Sequence, residues 1–319
     1  MLRTTRLIAA VLLPLAMTIA CATVPARAAT PRAGAAPADT TQLRRALEEV
    51  MRGYPGVAGV SVLNLATGEH LSIRGDETFP TASLIKVAVL VTLMDEVRRG
   101  NLRLEERTAM IARDRVGGSG VLQYVQSGLQ PTLGDLAWLM ITISDNTATN
   151  LLLDKLNVKT VWDKMDSLSL HHTRIHSKTF LRSTSIAVDS SVKYGLGVTT
   201  PNETARLFEL LYRGRAVSPA LDSAAVEMLR GNQDATKLAR WLPDTIPVAH
   251  KTGEVDQSRN DCGILYGPDA PVVVCAMTRE NRDTSYAPDN PANLLLARIG
   301  LTVFRHYNPS VRMPDPPGR

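Results

Sequence analysis

Cysteine is scarce in this chain, with three in 319 residues. No Cys, His or carboxylate set falls at metal-ligand spacing, so no metal centre is indicated. Aromatic residues make up only 4%, and no basic stripe interleaves them. The 36 basic and 31 acidic residues are mixed throughout, for a formal charge of +5, which argues against a nucleic-acid partner. At most it implies a mild preference for anionic small molecules. No apolar run is comfortably long enough for a membrane-spanning helix, and no internal repeat is present. One further absence is local: no glutamate occurs between Glu106 and Glu203. What remains, 44% apolar and 21% charged residues, is an ordinary globular composition able to bury a substantial core.

The first 28 residues read as a secretory signal peptide. Arg3 and Arg6 precede an apolar stretch from Leu7 to about Ala20, and Ala26-Arg27-Ala28 supplies small residues around a cleavage point. Lipid attachment at Cys21 is the rival, but Thr18 fits that signal poorly. Cleavage near Ala28 is therefore the preferred reading, with export to a periplasmic or extracellular space. Cys262 and Cys275 then remain in an oxidising compartment. They flank the turn Gly267-Pro268-Asp269-Ala270, which sets them opposite each other on a hairpin. They are either two small apolar residues packed in strands or a cross-strand disulfide.

Residues 29–40 are Ala/Pro-rich and read as a poorly ordered linker. Helical spacing follows over Thr41–Arg52, then a hairpin whose strands are Gly59–Leu65 and His70–Arg74. From Leu84 to Met94 the chain is apolar nearly all round, a pattern of a buried helix stopped at Gly100. Further helices are expected at Leu133–Ile143 and about Thr147–Leu156. The stretch His171–Val198 has no clear period and reads as a long surface loop. Short strands are expected at Ile246–Thr252, Asp261–Tyr266 and Val272–Met277, and a last helix at about Pro291–Phe304. Strands at both chain ends with helices between them predict an α+β fold. One antiparallel sheet domain would be built from residues 41–75 and 205–308, a helical domain from 76–204, and a tail from 309–319.

Ser83-Leu84-Ile85-Lys86 puts a hydroxyl and an amine on one side of a helix at its N-terminus. A lysine in a dry site beside other cations loses basicity and becomes able to deprotonate a serine. The helix N-terminus favours an oxyanion. This spacing alone is weak, since it occurs about once by chance in a chain of this length. Ser190-Ser191-Val192-Lys193 repeats it in the loop region. Ser83 differs in its company: Ser144-Asp145-Asn146 at a helix junction and Lys251-Thr252-Gly253 on an expected strand.

S-x-x-K, S-D-N and K-T-G in that order form the signature of penicillin-recognising serine enzymes. Gly117-Gly118-Ser119-Gly120, Ile143–Leu153 and Thr199-Thr200-Pro201 resemble class A β-lactamases in particular, and the likeness runs from about Thr41 to Phe304. The resemblance implies that Ser83 attacks a lactam carbonyl with Lys86 as base or proton relay. Ser144 would protonate the departing nitrogen, and Lys251 would hold Ser144 and the substrate carboxylate. Asn146 would bind the substrate's amide side chain. The strand Lys251-Thr252-Gly253-Glu254 would line the substrate, with the backbone N–H groups of Ser83 and Glu254 forming the oxyanion hole. Asp145 would be a structural hydrogen-bond partner. Arg259 lies where some class A enzymes keep a further carboxylate-binding arginine, against the alternative of a solvated strand residue.

One part of that pattern is missing. Class A enzymes carry a loop glutamate that activates the deacylating water, and its place here falls near Lys178 or Thr179, with Asp189 the only acid in the loop. His171, His172 and His176 read as solvated loop histidines rather than a zinc site. The expected activity is hydrolysis of β-lactams through a Ser83 acyl-enzyme, without metal or cofactor, by a monomer with no membrane anchor. The alternatives are a D-Ala-D-Ala peptidase or esterase, and a β-lactam-binding protein that deacylates slowly.

Overall fold

Residues 40–313 and residue 315 are described by a computed structural model. The expected signal peptide, the Cys21 alternative and all but the last residue of the expected linker lie outside them. Helix α1 (Thr40–Met51) leads into strands β1 (Val57–Asn64) and β2 (His70–Ile73), then the two-residue β3 (Phe79–Pro80). A 3₁₀ turn, Ala82–Ile85, runs directly into α2 (Lys86–Arg98), and α3 (Leu133–Thr142), α4 (Asn146–Leu156) and α5 (Val158–Ser167) follow. Next come β4 (Arg174–Ile175), α6 (Val188–Tyr194), β5 (Gly197–Thr199), α7 (Pro201–Tyr212) and α8 (Pro219–Arg230). The long strands β6 (Val248–Val255), β7 (Ser258–Tyr266) and β8 (Pro271–Arg279) precede the closing helix α9 (Pro291–Tyr307).

The five long and medium strands form one antiparallel sheet in the order β2-β1-β8-β7-β6. Alternation along the strands sorts side chains to two faces. In β8, Val272, Val274 and Ala276 join the cluster with Leu43 and Leu47 of α1 and Leu296, Ile299 and Phe304 of α9. Val273, Cys275 and Met277 face the other way, into the cluster built around α2. Both faces are therefore covered, which explains why these strands read as nearly unbroken apolar runs. Every residue of α2 from Lys86 to Asp95 is buried, as its all-round apolar sequence predicts. Each fully buried leucine of that helix contributes about 2 kcal/mol of burial. No described helix is long and apolar enough to cross a membrane.

Cys262 and Cys275 are directly paired across β7 and β8 and joined as a disulfide, so the sharper of the two readings holds. Parts of 171–198 depart from the expected loop. They contain α6 and β4 and lead into β5, which together with β3 form a small sheet in the order β3-β5-β4, each strand too short to show a period. Residues 309–313 of the tail continue from α9, with Val311 and Met313 packed on the α1/α9 cluster.

Candidate active site

The site lies where the 3₁₀ turn meets β6. Gly253 sets that contact: a Cβ on it would stand 2.2 Å from the Thr81 carbonyl oxygen, 2.6 Å from the Leu84 nitrogen and 3.1 Å from the Ser83 nitrogen. Only glycine admits so close an approach of two backbones. From β7, Asn260 Nδ2 donates to the carbonyls of Pro80 (2.9 Å) and Thr81 (3.1 Å), and Ser258 Oγ donates to Pro80 (3.2 Å). The segment carrying Ser83 is thus tied to the strand bearing Lys251, Thr252 and Gly253, with the Glu254 backbone next along. Ala82, immediately before the serine, has φ 45°, a left-handed backbone that costs about 1–3 kcal/mol for a residue with a Cβ and is held by these surroundings.

Lys86 is fully buried. Its Nζ donates to the Ser144 carbonyl (2.7 Å), Ser144 Oγ (3.1 Å) and Asn146 Oδ1 (2.8 Å). Burial first, and then the charge of Lys251, hold its pKa well below the ordinary lysine range, against the pull of Asp145. An amine so placed carries a lone pair more readily than an exposed lysine does. Ser144 is itself left-handed, with φ 58°, at the junction of α3 and α4, which turns both its carbonyl and its hydroxyl toward Lys86. Lys251 is also buried, and its Nζ donates to the Thr252 carbonyl at 2.8 Å rather than to Ser144. Burial lowers its pKa to about 8 despite the opposing charges of Asp234, Asp261 and Glu254, with Lys237 adding to the fall.

The S-D-N segment divides its work as expected for Asp145, whose carboxylate accepts from the backbone N–H of Val121 (2.7 Å), Leu122 (2.8 Å) and Ala148 (2.9 Å). It caps α4 and fastens the glycine-rich segment before it. Gly120 is required there, since a Cβ would meet the Asp145 carboxylate at 2.3 Å. Asn146 links Lys86 to the Gly117 carbonyl, to which its Nδ2 donates at 3.0 Å. Its amide is therefore integrated into the site's framework on both sides.

Lys178 and Thr179, near which the loop glutamate was expected, are held by polar partners. Thr179 is clamped by Asn150, which accepts from its N–H (2.7 Å) and donates to its carbonyl (3.0 Å). Its buried Oγ1 has no hydrogen-bond partner. Lys178 is paired with Asp154, and Phe180, left-handed and exposed, stands beside Gly118 and Asn146.

Several expectations are corrected. Arg259 is neither solvated nor turned to a substrate. It is 0% exposed, and its guanidinium donates to the carbonyls of Val255, Asp256, Ser258, Thr284 and Ser285. It braces the β6–β7 turn against residues 284–285. His176 is buried rather than solvated, between the Gly195 carbonyl and Ser190 Oγ. His171 and His172 are exposed, as expected, and pair with Asp166 and Glu203. Ser190 itself sits on α6. Sequence reasoning missed Asn260, Ser258 and Lys237, whose polarity alone gave no sign of their contacts. A cleft of about 1050 Å³ adjoins the β6–β7 turn, lined by Thr78, Pro80, Lys193, Tyr194, Val255 and Arg279 among others. None of Ser83, Lys86, Ser144 or Lys251 lines it, so it neighbours the reacting groups without containing them.

Residues 42–307 match the model of the beta-lactamase enzyme family. The chain belongs to that family. A β-lactamase of Streptomyces fradiae is 29% identical over 301 residues, covering 89% of this chain and 92% of that protein. A variant of the reconstructed last common ancestor of Gram-negative class A β-lactamases superposes with a TM-score of 0.71 at 28% identity, covering 82% of this chain and 96% of the other. A point mutant of PBP-A, solved as an acyl-enzyme complex with penicillin G, superposes with a TM-score of 0.73 at 27% identity, covering 83% of this chain and 96% of the other. The class A resemblance read from the motifs and the α+β fold read from the order of strands and helices both stand.

Proposed function

We propose that this family member is a serine hydrolase that opens β-lactam rings through an acyl-enzyme on Ser83. The observation that carries the reading is Lys86: a fully buried amine of lowered basicity, bonded to Ser144 and Asn146 and three residues from Ser83. The Ser83 proton passes to Lys86 as Oγ attacks the carbonyl carbon, and the oxyanion is met by the backbone N–H groups of Ser83 and Glu254. The carbonyl then re-forms, the ring C–N bond breaks, and Ser144 delivers a proton to the nitrogen, with Lys86 resupplying Ser144. Water next attacks the ester and Ser83 leaves with a proton. In the absence of a carboxylate at Thr179, Lys86 is the base at hand for that water. Names of relatives from several bacteria favour this reading over a wall peptidase or a lasting covalent adduct. Export accords with Arg3, Arg6 and the following apolar stretch, and with a disulfide in the sheet.

The test is turnover of a chromogenic cephalosporin, with intact mass taken at intervals. Sustained turnover with a transient adduct is expected. Ser83→Ala is expected to abolish both, and Ser190→Ala neither. A wild-type protein that forms no adduct, or an adduct that survives Ser83→Ala, refutes the reading.

A further inference from the structure

The strand that carries Lys251 bears, one residue before its end, an acid whose carboxylate no part of the proposed reaction uses. Glu254 lends its backbone N–H to the oxyanion hole, but its carboxylate projects into a cluster of cations. Its Oε2 lies 3.2 Å from Lys237 Nζ and 3.7 Å from Arg259 Nε. Lys237 and Arg259 are essentially inaccessible, at 1% and 0% exposure, and Arg259 Nε has no hydrogen bond. Lys251 sits three residues earlier on the same strand, within reach of the charges of Lys237 and Glu254.

The cluster is balanced as it stands. Lys237, Lys251 and Arg259 face Asp234, Asp261 and Glu254, but the three acids are not held alike. Asp261 is fully buried, accepting from the Leu238 N–H and paired with His250. Asp234 accepts from the Thr236 N–H (3.0 Å), Thr236 Oγ1 (2.6 Å) and Lys237 (2.7 Å). Glu254 has only its two ion pairs, and its side chain is 36% exposed. It is the acid most easily displaced, and it stands on the strand that an acyl donor must approach.

We infer that Glu254 is a specificity residue: a resident carboxylate that competes with the substrate's own carboxylate for Lys237 and Lys251. This rests on the function proposed above. A lactam bearing a carboxylate brings a fourth anion to a set already neutral, so it binds only by displacing Glu254 or against its repulsion. A donor that is neutral at that end meets no such obstacle. One like charge several ångströms away in a half-wet site corresponds to roughly a tenfold effect.

The experiment compares kcat/KM for benzylpenicillin and for its uncharged methyl ester, in the wild type, Glu254→Gln and Glu254→Asp. The ratio of charged to neutral substrate is expected to rise about tenfold in Glu254→Gln and to return toward the wild-type value in Glu254→Asp. The gain is expected to shrink as salt is raised, because it is electrostatic. The ratio cancels any general loss of activity from a disturbed strand. A ratio that stays within twofold or falls in Glu254→Gln overturns the inference while leaving the Ser83 chemistry intact. If neither compound acylates wild-type Ser83 by intact mass, the proposed function fails, and the inference with it.

Discussion

Replacing Gly253 by alanine tests whether the contact of β6 with the 3₁₀ turn positions the reacting groups. The added Cβ would lie 2.2 Å from the Thr81 oxygen and 2.6 Å from the Leu84 nitrogen, roughly 1 Å inside ordinary contact. Both are backbone atoms, so no rotamer change relieves them. The turn is also tied from behind by Asn260 and Ser258, which leaves it little room to retreat. Either β6 or the turn must shift by about 1 Å. Overpacking of this kind costs about 1–3 kcal/mol of stability, and a 1 Å misplacement of catalytic groups costs about 100-fold in rate. The Ser83 and Glu254 N–H groups sit on opposite sides of the forced gap, so acylation is expected to suffer more than stability. The assay is the rate of adduct formation by stopped-flow with a chromogenic cephalosporin, beside thermal unfolding of the same sample. A Gly253→Ala protein that folds and acylates within threefold of wild type would refute this account of the oxyanion hole.

Two further expectations concern charge. Lys251 has a folded-state pKa of about 8 against 10.5 for a free lysine, so the unfolded chain binds this proton more tightly. Its contribution to stability therefore increases as pH rises from about 8 to 10.5 and is constant below that window. For a carboxylate-bearing lactam, kcat/KM is expected to fall above about pH 8 as the ammonium is lost. Pairing a pH–rate profile with melting temperatures checks both, and an alkaline limb that merely tracks unfolding would contradict the assignment. Asp145→Ala strands three backbone N–H donors and is expected to destabilise by about 3 kcal/mol; a loss below about 1 kcal/mol in denaturant titration would show that water replaces the carboxylate.

The three motifs were legible because each lies on an element with a strong local signal. Lys86 opens a helix whose first ten residues are all buried, Asp145 is a helix cap, and Lys251-Thr252-Gly253 lies on a strand of a two-faced sheet. Hairpin strands and long helices followed from periodicity within a few residues of their ends. The remainder depended on contacts between distant segments. Asn260 looks like any polar strand residue until its amide meets Pro80 and Thr81 across the fold. Arg259 looked exposed because arginine usually is, whereas five carbonyls from two turns enclose it. Lys237 follows a helix in an unremarkable segment, and only folding brings it to Glu254. The small strands β4 and β5 have two and three residues, which is below the length at which alternation can be seen.

The sheet order gives the molecule a definite timetable. Strand β1 pairs not with its sequence neighbours alone but with β8, Val57 opposite Arg279 and Asn64 opposite Val272. Ser83 rests on β6 and β7, which come late in the chain. Closing so long a loop is entropically slow, and no intermediate stretch can substitute for the missing strands. A nascent chain has its serine and its lysine almost from the outset, but it has no reactive centre until nearly the whole polypeptide has emerged. Assembly of the reactive centre is thereby deferred by topology until β6 and β7 have closed on the turn that bears the serine.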